Sequence, residues 1–284
     1  MLRKIFVPVR GDGMIETVLG HAAALAARHN AHIAVAHCRA RTEDLMPYGV
    51  QLPAFARETL AEQARKLADQ EEQGVREQVQ SLTASHGLTE ADGSQRDMAT
   101  IDFTEENGLM ADVIKRNGRL ADLVVVAKPD RDRNLGANSL KSALFRTGRP
   151  VMMCAQNRPV PADFGQHIMV AWNGSLEASR AVAMTLDLAG SAKAVTILSG
   201  GGGETQGTTA DELVRYYQMH GVVAKVHRFD GRNPGEELLT KTNELGGSLL
   251  IMGAYGQNHE RETLFGGNTQ VVVDKAETPV IFVH

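Results

Sequence analysis

Lys4-Ile5-Phe6-Val7-Pro8-Val9-Arg10-Gly11 and His167-Ile168-Met169-Val170-Ala171-Trp172-Asn173-Gly174 open the two halves of this 284-residue chain alike, each as a short apolar run followed by an alanine-rich helical pattern. The halves also close alike. Arg149-Pro150-Val151-Met152-Met153-Cys154 corresponds to Thr278-Pro279-Val280-Ile281-Phe282-Val283, in both cases a short apolar strand entered through proline. A duplicated unit restricts the chain to architectures in which one fold occurs twice. Between its ends the second half reads as strand 167–172, helix 175–189, strand 193–199, helix 208–220, strand 222–229, helix 234–245, strand 248–253, helix 268–276 and strand 279–283. Apolar, β-branched strands alternating with helices predict right-handed crossovers and a mostly parallel sheet covered on both faces. The expected fold is α/β: two tandem doubly wound domains with mostly parallel five-stranded sheets.

The first half keeps this order but carries extra sequence from about Arg39 to Thr83. Within it, the run from Phe55 to Gln80, rich in Ala, Glu, Gln and Leu, predicts an elongated helix with a solvated, charged face. Arg158-Pro159-Val160-Pro161 interrupts regular structure and places a linker at Gln156 to Gln166. The expected domains are residues 1–157 and 165–284.

A content of 43% hydrophobic and 23% charged residues suits two domains with cores of their own. The net charge of −4 gives no overall basic field for nucleic acid. The apolar run in Met1 to Val9 is too short for a signal peptide, and no stretch reaches transmembrane length, so a cytoplasmic location without a membrane partner is expected. Cys38 and Cys154 lack the spacing of a zinc site and the density of a disulfide scaffold, and both read as small core residues.

The segment with the most chemistry follows the strand Ser248-Leu249-Leu250-Ile251-Met252. Gly253 and Gly256 stand there, then, after nine intervening residues, Gly266-Gly267-Asn268-Thr269 at the mouth of a helix. Glycines at such a junction turn the chain tightly and expose backbone N–H groups to an anion, and the helix adds the positive end of its dipole. The Thr269 hydroxyl could cap that helix or reach a phosphate oxygen. A phosphate cradle at the carboxyl ends of the strands is expected.

This pattern resembles the universal stress protein family, whose nucleotide motif runs glycine, two residues, glycine, nine residues, then glycine and a small residue. Gly253, Gly256 and Gly266 fall on the three glycines, Gly267 stands where the family often has serine, and Thr269 matches a hydroxyl residue near the phosphates. The resemblance spans the chain in the manner of tandem members, in which two domains of adenine nucleotide alpha hydrolase-like fold replace a homodimer. It implies a stress-response protein binding ATP or a related adenine nucleotide in its second domain, with magnesium able to arrive on the phosphates. Ala171, Trp172, Asn173 and Met252 would border the base and ribose. Asn173 stands where the family commonly has aspartate and can both donate and accept, whereas Trp172 could stack near the base or fill the core. The terminal strands Pro150 to Cys154 and Pro279 to Val283 would pair edge to edge, closing an intramolecular pseudo-dimer; further homodimerisation is left open.

The first half departs from the motif. Asp122-Leu123-Val124-Val125-Val126 leads into Ala127-Lys128-Pro129-Asp130, Arg10 takes the position facing Asn173, and Gly136-Ala137-Asn138-Ser139 matches the later glycine pair only loosely. Its expected job is pairing. Ser199-Gly200-Gly201-Gly202-Gly203-Glu204 follows the second strand of its unit rather than the first and reads as a connection, not a pyrophosphate loop. His259-Glu260-Arg261-Glu262 reads as a solvated loop, with Arg261 the better phosphate candidate. No Ser-His-Asp or Cys-His set can be assembled, so any ATP hydrolysis should be slow. Three functions stay open: a ligand-regulated switch or interaction module, a ligand-independent interaction protein, and a slow ATPase.

Overall fold

The computed structural model describes residues 1–11, 14–39, 53–155, 159–200, 207–230, 232–254 and 267–284. Its strands are β1 Lys4–Val9, β2 His32–Arg39, β3 Thr89–Glu90, β4 Thr100–Asn107, β5 Leu123–Ala127 and β6 Val151–Cys154, then β7 His167–Trp172, β8 Ala194–Gly200, β9 Ala224–Phe229, β10 Leu249–Gly253 and β11 Val280–Val283. Its helices are α1 Ile15–His29, α2 Ala54–Ser85, α3 Met110–Gly118 and α4 Ala137–Arg146, then α5 Leu176–Met184, α6 Leu186–Ser191, α7 Ala210–Met219, α8 Pro234–Glu244 and α9 Gly267–Lys275.

All eleven strands form one sheet in the order β3-β4-β2-β1-β5-β6-β11-β10-β7-β8-β9. Each half contributes a parallel set in which its first strand lies between its second and its last but one, β1 between β2 and β5 and β7 between β8 and β10. The central pair is the exception, because β6 and β11 run antiparallel with Val280 opposite Met153, Ile281 opposite Met152 and Phe282 opposite Val151. This is the edge-to-edge closure expected of the proline-entered strands, and it removes two sheet edges at once. Both strands are fully buried, as apolar runs covered on two faces must be.

Strand alternation sends Ile5, Val7 and Val9 to one core and Phe6 to the other. α1, α2, α5, α6 and α7 cover the first face, and α3, α4, α8 and α9 the second. The connection between the halves is tied down on the first face. Phe164 is buried with its ring edge-on to His21 at 4.9 Å, and the Arg28 guanidinium donates to the Phe164 and Gly165 carbonyls at 2.6 and 3.3 Å.

Three details differ from expectation, and the elongated helix is as expected. The helix expected over 175–189 is broken at Thr185, whose hydroxyl bonds back to the Ala181 carbonyl at 2.6 Å, an i−4 contact that competes with the helical ladder. The first half has a sixth strand, β3, which pairs with β4 at the outer edge where β9 ends the second half. Cys38 is only half-buried, its thiol donating to the Gly108 carbonyl at 3.0 Å, whereas Cys154 is a core residue whose thiol pKa burial pushes up. The elongated helix is α2, 32 residues long, and only its C-terminal half sinks Val75 and Val79 into the core.

The buried histidines give the fold a pH dependence. Burial is the main cause lowering the imidazole pKa of His21, His29 and His37, so the folded chain binds fewer protons there than the unfolded chain. Their penalty is absent above the ordinary histidine value of 6.5 and grows as the pH falls below it. Glu105, whose carboxyl burial and the neighbouring Glu72 raise, acts in the opposite sense. With the His284 imidazole lowered likewise by burial, four groups against one predict a lower urea midpoint at about pH 5.5 than at about pH 7.5. An equal or higher midpoint at the lower pH would contradict this assignment.

Candidate functional site

In a doubly wound sheet, ligands bind outside the carboxyl ends of the strands where the chain order reverses. In the second half that point lies between β7 and β10, which are adjacent, with Ile251 opposite Val170. β7 ends at Trp172 and turns sharply into α5. The Asn173 side-chain oxygen accepts from the Ser175 N–H at 3.1 Å, Gly174 adopts φ 72°, and the Ser175 hydroxyl caps α5 by accepting from the Ala178 N–H at 3.2 Å. Asn173 is exposed, with its oxygen committed to this turn. Ala171 is half-buried on the second face. The Trp172 ring lies in the core on the opposite face, and its indole N–H donates to the Thr208 carbonyl at 3.0 Å.

β10 ends where α5 begins. A Cβ built on Gly253 would stand 2.5 Å from the Ala178 nitrogen and 2.6 Å from the Glu177 carbonyl carbon. Gly253 is therefore the contact through which strand and helix approach. Glu177, in the first turn of α5 and buried to 8% exposure, is brought against it, a carboxylate at the strand ends that sequence reasoning missed. Met252 is buried, and the Ala254 N–H donates to the Val283 carbonyl at 2.8 Å, which carries the sheet one residue past the strand. Gly256 and Gly266, with His259 to Glu262, lie outside the described residues, as does most of the glycine run after Ser199.

α9 opens at Gly267. Gly267 and Asn268 are exposed, Thr269 is buried, and a Cβ on Gly267 would meet no described atom within 4 Å. α8 crosses this first turn so closely that a Cβ on Gly235 would lie 2.9 Å from the Asn268 carbonyl oxygen. The Asn268 side-chain oxygen accepts from the Gly235 N–H at 3.3 Å. Two helix amino ends thus meet beside each other, and their dipoles raise the local potential for an anion. Gly235, which makes the crossing possible, was readable only as a glycine after a helix-opening proline.

The equivalent point of the first half is filled. The Arg10 guanidinium donates to the Ser139 hydroxyl at 2.9 Å, spanning from the end of β1 to the first turn of α4. The space left among Pro8, Val9, Arg10, Met14, Val126 and Ser139 is about 30 Å³, room for water but not for a nucleoside. The β5–α4 turn crosses to the other half, where Lys128 Nζ donates to the Ala276 carbonyl at 2.9 Å and Arg131 pairs with Asp274 at 2.7 Å. Among the described residues no group of three or more His, Cys, Asp or Glu could hold a metal ion, and no helix is long and apolar enough to cross a membrane.

Comparison with known proteins bears on the family likeness and the fold. The model of the universal stress protein family matches residues 203–284, the stretch that contains β10 and α9. A universal stress protein from Archaeoglobus fulgidus DSM 4304 is similar over 99% of this chain and 95% of its own, with a TM-score of 0.69 at 16% identity. A functionally unknown protein from Pseudomonas aeruginosa PAO1 is similar over 99% of this chain and 92% of its own, with a TM-score of 0.59 at 16% identity. A search of curated proteins gives no match. The stretch from residue 203 to residue 284 is thus similar to the universal stress protein family. At such low identity the full-length likenesses concern the fold, and they extend it over both halves.

Proposed function

We propose that the protein binds ATP or a related adenine nucleotide in its second half and acts as a ligand-regulated switch or interaction module. One observation carries this reading. α9 presents an exposed, side-chain-free first residue, Gly267, beside a second helix amino end, on the chain that leaves β10 at the switch point. The phosphates would lie against Gly253, Gly256, Gly266, Gly267, Asn268 and Thr269, and magnesium would come with them. Ala171, Asn173 and Met252 border the base side, with Trp172 buttressing that wall from the core. Domains of 1–157 and 165–284, joined as a pseudo-dimer by β6 and β11, place one such site in each chain.

Two observations favour a second reading, a ligand-independent interaction protein. The oxygens of Asn173 and Asn268 are both spent within the fold, on Ser175 and Gly235, rather than held toward solvent. Mass spectrometry of nucleotide released from freshly purified protein, with calorimetric titration of ATP and magnesium into stripped protein, separates the two. One nucleotide per chain is expected. Two per chain would overturn the assignment of a silent first half, and none, with no titration signal, would leave the interaction protein.

A further inference from the structure

We propose that the first half, through Lys128 and Arg131, positions the second half's phosphate-binding helix from its far end. The proposal rests on the reading of the α9 amino end as the phosphate cradle. α9 is nine residues long, so its two ends are about 13 Å apart on one rigid element. Whatever fixes the carboxyl end also fixes where the amino end points.

The grip is built on a stiff turn. Between β5 and α4, Asp130 and Leu135 exchange two backbone hydrogen bonds of 3.0 and 2.9 Å, and the Asp130 carboxylate accepts from the Arg133 N–H at 3.0 Å. The Lys128 N–H is held by the Cys154 carbonyl at 2.8 Å, which anchors the residue to β6 at the centre of the sheet. From this base the half-buried Lys128 ammonium reaches the Ala276 carbonyl, just past the last turn of α9. Arg131 takes Asp274, whose other oxygen accepts from Gln270 one turn earlier in the same helix. A cation at the carboxyl end of a helix complements its dipole, as an anion does at the amino end. A phosphate at Gly267 and the ammonium at Ala276 therefore favour the same placement of α9.

Among the described residues the grip runs one way. β5 and β10 align residue for residue, which puts Ala254 where the first half has Lys128, and alanine carries no cation to return across the pseudo-twofold axis. The half that lacks the glycine turn carries in its place the residue that reaches the other half's helix.

The test uses the full chain with Lys128→Met, its conservative partner Lys128→Arg and the surface variant Arg131→Gln. Three quantities are measured: ATP affinity, adenosine affinity, and hydrogen exchange of the α9 amides. Lys128→Met is expected to weaken ATP about tenfold, to leave adenosine within about twofold, and to speed α9 exchange about tenfold, with Lys128→Arg reversing these changes. Arg131→Gln, which does not touch the core, should show the same pattern at about two- to threefold and decides the matter if Lys128→Met does not fold. Unchanged ATP affinity, or an equal loss for ATP and adenosine, would overturn the proposal. If the parent protein binds no ATP, the nucleotide reading fails, and exchange alone decides the positioning role: acceleration confined to α9 supports it, and none refutes it.

Discussion

Replacing Gly253 with alanine lowers the unfolding free energy by about 3 kcal/mol, and replacing it with valine leaves little folded protein. The added Cβ would stand 2.5 Å from a backbone nitrogen of α5 and 2.8 Å from the Glu177 Cβ. No flexible side-chain tip can yield there, so either the first turn of α5 moves or the carboxyl end of β10 does. Both are bound into the core, α5 through Ala178, Ala181 and Val182 and β10 through its pairing with β7 and β11. Against a domain stability of about 5–15 kcal/mol, a loss of this size is visible in a urea titration. A change below about 0.5 kcal/mol would show that strand and helix do not meet as closely as described. The first glycine of the motif thus has a packing role whether or not a ligand binds, and its substitution cannot by itself measure binding.

The duplicated strand patterns made the topology legible because each buried strand must be apolar on both faces and each crossover must be helical. Thus β7 to β11 lie within two residues of their expected bounds, and β6 closes on β11 as the family resemblance implied, with an antiparallel direction that only the fold revealed. Thr185 was not legible as a break, because a threonine in an apolar helix reveals its back-bond to Ala181 only once the helix has a place to bend. At the site, the order of glycines marked β10 and α9, but the contacts that define their geometry join residues far apart in sequence. Gly235 against Asn268, Glu177 against Gly253, and Lys128 against Ala276 have no spacing that announces them. Arg10 was noticed as a departure from the pattern. That it closes its own half by reaching Ser139, 129 residues away, required the fold.

Replacing Gly267 with phenylalanine abolishes nucleotide binding while leaving the fold intact, the opposite outcome to Gly253. A Cβ on Gly267 meets no described atom, the residue is exposed, and it lies at the first position of α9, where replacing glycine makes no clash with the described residues and restricts the unfolded chain, a small stabilising effect. The thermal midpoint should move by only a few degrees, the equivalent of about 1 kcal/mol or less. A bulky ring there covers the first N–H groups of the helix. Hydrogen bonds to a charged group are worth about 1.5–3 kcal/mol each, so blocking two of them raises the dissociation constant by at least about a hundredfold. Calorimetric titration of ATP into the variant and the parent, beside their melting curves, measures both quantities on the same samples. Loss of binding with an unchanged melt assigns the phosphates to this helix end. Unchanged affinity refutes the cradle, and a melt that collapses with binding would mean that Gly267 is held by the fold rather than kept open for an anion.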